Sequence, residues 1–187
     1  MGLDTGFKDT RSNVFENCHA GMEKDIRSED APYIVKSPWM CDYMEEILQS
    51  PKYVIDHAYI PIRDLFSASA SRIYVSQNAK INKLSLNAVP GGLWDTTDPS
   101  RQEDILSRQL YKLIYSLTKY DVSTSLLFFP RFVHDPIYLY KKLNFLLNTI
   151  NYDNFLKSFN KTVKPELVHE FSEDLEQLVI RSKSIQT

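Results

Sequence analysis

Apolar residues recur at helical spacing in six stretches of this chain, with short β-rich runs ahead of them or between them. The clearest stripe lies within 99–120, where Ile105, Leu106, Leu110, Leu113, Ile114 and Leu117 fall on one face of a helix. The same spacing predicts helices over 39–49, 65–77, 136–148, 152–160 and 165–181, the fourth of the six burying Leu139, Leu143, Leu146 and Leu147. Three of the starts share one device. Ser37-Pro38, Asp98-Pro99 and Asp135-Pro136 each set a capping oxygen before a proline at the first helical position. The β-rich runs are Tyr33 to Lys36, Tyr53 to Ile62 and Ser123 to Phe129. Strands alternating with helices imply βαβ units, hence an α/β fold with a parallel sheet flanked by helices.

The remaining stretches are polar. The segment 77–100 holds Pro90-Gly91-Gly92 and Trp94, and a loop that long in a compact domain is usually a lid or a mobile insert. Residues 1–32 read as irregular, and 150–187 as C-terminal helices. The chain of 187 residues is long enough for one α/β domain spanning 1–187 and short for two. With 43% hydrophobic and 25% charged residues, global disorder is excluded.

Charge and motif content narrow the function classes. A net charge of −2 argues against a general nucleic-acid binder while leaving room for a local basic pocket. Only five glycines occur, and no GxxxxGK[ST] or GxGxxG run, so a self-contained nucleotide-phosphate cradle is excluded. Cys18 and Cys41 are too few for a disulfide scaffold and fit a reducing compartment. The four histidines are scattered and no metal-ligand spacing occurs, so no metal is expected. The start MGLDTG is neither a signal peptide nor a myristoylation site, and no run of apolar residues is long enough for a membrane span. The expectation is a soluble, cytoplasmic protein.

In open parallel sheets, ligands bind beyond the carboxyl ends of the strands. Here the predicted strand ends read Lys36-Ser37-Pro38, Ile60-Pro61-Ile62-Arg63-Asp64 and Phe129-Pro130-Arg131, each with a cation close to a proline. Three cations on one rim would make an anion site. Arg63 is followed eight residues later by Ser71, two helical turns in, with Ser67 one turn before it on the same face. A guanidinium and hydroxyls so placed could grip one phosphate.

The run YVIDHAYIPIRDLFSASASR resembles the strand–turn–helix with which sulfotransferases bind the 3′-phosphate of 3′-phosphoadenosine 5′-phosphosulfate (PAPS). That family sets an Arg at the strand end and a Ser eight residues on, which Arg63 and Ser71 match. YIVKSPW looks like the Lys-Ser-Pro strand end of bacterial and heparan-type members, and SLLFFPRFVHDPIYLYKKLNFLL resembles the last core strand and its following helix. The resemblance covers roughly 32–147. It implies a P-loop NTPase-like sulfotransferase fold, PAPS as donor substrate, and sulfuryl transfer to a small-molecule or glycan hydroxyl or amine. Arg63 and Ser71 would hold the 3′-phosphate, Lys36 would lie near the bridging oxygen or the acceptor, and the loop around Trp94 would close over the site.

The chain departs from that pattern in three ways. The family's opening strand and phosphate loop have no counterpart, so the domain reads as truncated at its N-terminus, with self-association expected. Phe129-Pro130-Arg131 replaces the family's acidic run, and Val35 stands where some members carry a catalytic Glu. A degenerate, non-catalytic binding or structural relative, or another nucleotide-dependent transferase, are the alternatives. Structural readings of the same residues stand beside these: Arg63 as a capping Arg, Ser71 as an ordinary helix Ser, Lys36 as a solvated cation and Arg131 as a surface ion-pair residue. Likewise His57, sharing a strand face with Ile55 and Tyr59, reads as a hydrogen-bonded sheet histidine, Asp42 with Glu45 and Glu46 as a solvated helix face, and Gly91-Gly92 as turn geometry.

Overall fold

A computed structural model describes residues 4–7, 14–15, 20–81 and 91–168. Within them lie strands β1 (Val14–Phe15), β2 (Ala20–Gly21), β3 (Ala58–Ile62) and β4 (Thr124–Phe128). The helices are α1 (Met40–Gln49), α2 (Leu65–Ile81), α3 (Gln102–Lys119), α4 (Arg131–His134), α5 (Pro136–Lys142), α6 (Asn144–Leu147) and α7 (Tyr152–Thr162). The fold is mixed α/β. The chain divides into two compact units, one built on Glu23–Arg63 and Leu110–Val168, the other on Asp64–Gln109.

The first unit is organised by β3 and β4, which pair in parallel with Ala58 opposite Thr124 and Ile62 opposite Phe128. Ala58 N donates to Ser123 O and Phe129 N donates to Ile62 O, so Ala58 and Ile62 turn their backbone groups toward the partner strand. Pro61 therefore falls at a position facing away, where a missing N–H costs no ladder bond. On β4 the amide of Phe128 faces outward and donates to the Tyr138 hydroxyl (2.9 Å). Both outer edges are thus blunted at one point against further pairing.

One face of this pair is covered by helices. Ile60 packs against Met44 of α1 and Leu117 of α3, with Leu113 and Ile114 beside them. Cys41, Met44 and Ile47, with Tyr43, form the buried stripe that the spacing of α1 dictates. On the opposite face the His57 ring stacks on Phe145 of α6 (centroids 5.1 Å apart). Leu126 and Phe128 of β4 stay 45% and 55% exposed, beyond the reach of the helices that bury Ile60.

Two of the three predicted caps form. Asp98 accepts from Ser100 N (2.9 Å) ahead of a 3₁₀ turn over Pro99–Arg101 that leads into α3, and Asp135 accepts from Tyr138 N (2.8 Å) at the start of α5. Ser37 does not cap. Its hydroxyl bonds the Tyr43 hydroxyl, and α1 starts after Trp39 without a side-chain cap. Asn151 caps α7 through Asn154 N (2.9 Å), and that helix continues to Thr162.

The strand expected over Tyr33 to Lys36 is not formed. Ile34 N bonds Asp4 O and Lys36 O accepts from Lys24 N, single bonds to two different segments in place of a ladder, and Pro32 and Pro38 bracket the run. The expected strand from Tyr53 shortens to Ala58–Ile62, because its partner β4 is only five residues long. Helix α2 outlasts its predicted end at Gln77 and takes four residues from the expected 77–100 loop. The helix expected over 136–148 is broken at Leu143, and of 165–181 a 3₁₀ turn over Pro165–Leu167 is described. Residues 1–3, 8–13, 16–19, 82–90 and 169–187, with Cys18, His19 and His169 among them, lie outside the described residues.

Leu117 is 2% exposed in the core against β3, whereas Tyr111 on the same helix is 71% exposed. Leu117→Ala is expected to lower stability by about 2–5 kcal/mol, and Tyr111→Ala by no more than about 0.5 kcal/mol. Urea unfolding of the three proteins measures the difference. Equal losses would place the core elsewhere.

Candidate functional site

Parallel pairing brings Arg63 and Arg131 to the same end of the sheet. Arg63 follows the last residue of β3, and Arg131 opens α4 just past the end of β4. The Arg63 guanidinium lies 4.9 Å from the centroid of the Phe129 ring, so the aromatic that closes β4 holds the cation that closes β3. Arg131 pairs with Asp135 (3.0 Å) and lies over the Tyr138 ring at 4.4 Å. The same Asp135 caps α5, and its carboxyl is held below the ordinary range, first by the Tyr138 amide and then by Arg131. Arg131 is therefore engaged structurally, as the ion-pair reading anticipates.

Lys36 is not at a strand end. It sits in an irregular segment, and its ammonium pairs with Glu23 (2.8 Å), which is more buried than the lysine. The expectation of three strand-end cations on one rim is thus corrected to two, because the segment carrying Lys36 has no ladder partner. Ser71 lies within α2 of the second unit and is half-buried, one turn past Ser67, whose amide donates to Asp64 Oδ1 (2.8 Å) at the helix start.

His57 stands one residue before β3, at the far end from Arg63. Its Nε2 is 2.9 Å from Ser125 Oγ and its Nδ1 is 2.9 Å from Ser123 Oγ. Tyr59 and Phe145 flank the ring. Desolvation lowers its pKa from the ordinary histidine value. Six residues of extended chain span about 20 Å, so this imidazole is out of reach of chemistry at Arg63. The hydrogen-bonded sheet-histidine reading fits these contacts. Cys41 is buried, and desolvation, followed by the charge of Asp42, pushes its thiol up to about 11, far from a thiolate at neutral pH.

A second polar cluster escaped the sequence reading. Arg72 of α2 donates to Gly92 O (2.8 Å) and lies over the Trp94 ring, 5.2 Å from its centroid. Leu93 N donates to Ser76 Oγ (2.7 Å), and Trp94 N donates to Gln102 Oε1 (2.6 Å), with Gln102 itself 0% exposed. Gly91 takes a φ of +79°, so its glycine serves turn geometry as expected. The described end of the expected loop is therefore a pinned turn. The one available signal was that Ser69, Arg72 and Ser76 share a helix face, which places an Arg between two buried hydroxyl residues.

A hollow of about 440 Å³ lined by Tyr140, Lys141, Asn144, Leu147 and Asn148 lies on the α5–α6 segment, whose Phe145 packs on His57. Among the described residues no three His, Cys, Asp or Glu side chains are grouped to hold a metal ion, and no helix is long and apolar enough to cross a membrane.

His57 gives a pH dependence with a definite sign. Its folded pKa is depressed, so the unfolded chain binds the proton more readily and stability rises with pH across that window. The contribution is complete above the unfolded value near 6.5 and is lost as pH falls toward the lower folded value. The unfolding free energy of the parent is expected to drop between pH 7.5 and 5.5 by more than that of His57→Asn, as read from urea titrations. Parallel profiles would remove burial of the imidazole as the cause.

Compared with family models, with curated proteins and with solved structures, the chain matches none.

Proposed function

We propose that this chain is a sulfotransferase-like protein whose Arg63 rim binds PAPS through the donor's 3′-phosphate. The observation that carries the reading is the parallel β3–β4 pair, with Arg63 at the end of one strand and a helix opening two residues later. Ligands of open parallel sheets bind at that end, and an arginine there offers paired donors to a phosphate. On this reading the 3′-phosphate is held by the Arg63 guanidinium, and Lys36, which pairs with Glu23 away from any strand end, takes no part in the rim.

Sulfuryl transfer breaks the S–O bond to the donor and forms one to the acceptor oxygen or nitrogen. The electron pair leaves on the phosphate of adenosine 3′,5′-bisphosphate, and the acceptor proton passes to a base or to solvent. Such a reaction asks mainly for in-line placement and neutralised charge, as phosphoryl transfer does. His57 is excluded as the base by its distance along β3, and Cys41 by its burial and raised pKa. The reading therefore rests on cations rather than on proton transfer.

Adenosine 3′,5′-bisphosphate is expected to bind with a dissociation constant between about micromolar and millimolar at low salt, and more weakly as salt screens the contact. Arg63→Ala should weaken it by about tenfold or more, as loss of a charge-assisted contact requires. Calorimetry on the two proteins decides. Undiminished binding by Arg63→Ala removes the phosphate role, and transfer of sulfate from PAPS to a phenol by the parent would establish an enzyme.

A further inference from the structure

Arg72 is a half-buried cation whose contacts among the described residues leave most of its donors unused. Of the five N–H groups of a guanidinium, one is committed, from Nη1 to Gly92 O. Among the described residues no carboxylate stands against it. The contrast within the same unit is direct, because exposed Arg108 pairs with Asp104 at 3.0 Å. Burial alone perturbs Arg72, lowering its pKa with no opposing charge nearby. A cation partly withdrawn from water gains from a counter-charge, and with no carboxylate among the described residues against it an external anion can supply one.

The surroundings are built rather than incidental. Three successive residues of the turn are fixed from two helices: Gly92 by Arg72, Leu93 by Ser76 and Trp94 by Gln102. Gln102 also returns a bond from Nε2 to Trp94 O (3.4 Å), so the amide holds both polar groups of that peptide position. The Trp94 ring lies against the guanidinium and limits its rotation. A planar fork held in this way presents paired donors to two oxygens of one ligand.

We propose that Arg72 and the Gly91–Trp94 turn form a binding site for a tetrahedral oxyanion, the phosphate or sulfate group of a small molecule. The site lies within the second unit and is independent of any role of Arg63. The oxyanion takes the remaining guanidinium donors, and its charge offsets the half-buried cation.

The test uses the full chain carrying Arg63→Ala, which removes the rim cation, and Trp39→Phe, which leaves Trp94 as the reporting tryptophan. Sodium sulfate, sodium phosphate and adenosine 5′-monophosphate are titrated against sodium chloride at constant ionic strength, with Trp94 fluorescence and melting temperature as readouts. Saturable binding with a rise in melting temperature is expected for the oxyanions and not for chloride. Adding Arg72→Met should weaken that binding by about tenfold or more. In buffer free of oxyanions the same substitution should not lower the melting temperature, because it removes an uncompensated charge and keeps an aliphatic side chain. Arg72→Lys keeps the charge but loses the fork, and should bind with intermediate strength.

Tighter binding of the nucleotide than of phosphate identifies an anion presented by a larger molecule, and equal binding identifies the free ion. Sulfate and chloride acting alike would overturn the proposal. So would undiminished sulfate binding by Arg72→Met, or a large loss of stability in that variant without any response of the parent to oxyanions.

Discussion

The ladder running from the Ala58 amide on Ser123 O to the Phe129 amide on Ile62 O joins two short strands far apart in sequence. Its direction decides most of the first unit. Parallel pairing sends both chains out at one end, so Arg63 and Arg131 share a rim; antiparallel pairing would have sent them to opposite ends. The same ladder fixes the faces. Ile60 is turned to α1 and α3, while His57 meets Ser123, Ser125 and Phe145 on the other side. With only two described strands in the pair, the ladder is short, and its outer edges depend on local devices: Pro61 on one side and the Tyr138 hydroxyl on the other.

Among the described residues, charge compensation distinguishes Arg131 and Lys119 from Arg72. Arg131 serves Asp135, and Lys119 serves Glu45 across α3 and α1. These pairs are solvent-exposed and screened, so they fix geometry more than stability. Arg72 is oriented by a carbonyl and a ring instead. Aromatic contact and a single neutral acceptor orient a guanidinium without neutralising it. That distinction, more than simple exposure, marks Arg72 as able to take an external anion.

Sequence periodicity was enough to find α1, α3 and α7 and the strand β4, because each buries an apolar stripe at its own repeat. Caps were legible where the oxygen belongs to Asp. Asp98 and Asp135 have short, rigid, charged acceptors that reach the next free amide, whereas the Ser37 hydroxyl found the Tyr43 hydroxyl, a tertiary partner that spacing does not reveal. The Tyr33 to Lys36 run misled for a related reason. Its β-prone side chains say nothing of whether another strand lies alongside, and none does among the described residues. Arg63 was legible because strand end and cation coincide in sequence. The Arg72 cluster was not, because Gly92 and Trp94 reach α2 only through the folded turn.

Bases and anion sites make opposite demands on their surroundings, and the proposed sites ask only for the second. A general base must be near its reacting group and must lose its proton at working pH. His57 has the right chemistry but stands at the wrong end of β3, with both ring nitrogens engaged by serine hydroxyls. Cys41 is buried with an acid as its neighbour, which holds the thiol protonated. An anion site needs only fixed donors that stay charged, and arginine meets that condition at any working pH. Two such groups are oriented here by aromatic rings, Arg63 by Phe129 and Arg72 by Trp94. The proposed recognition of phosphate- or sulfate-bearing ligands draws on these groups, and transfer on that reading depends on the acceptor bringing its own reactive group close to that charge.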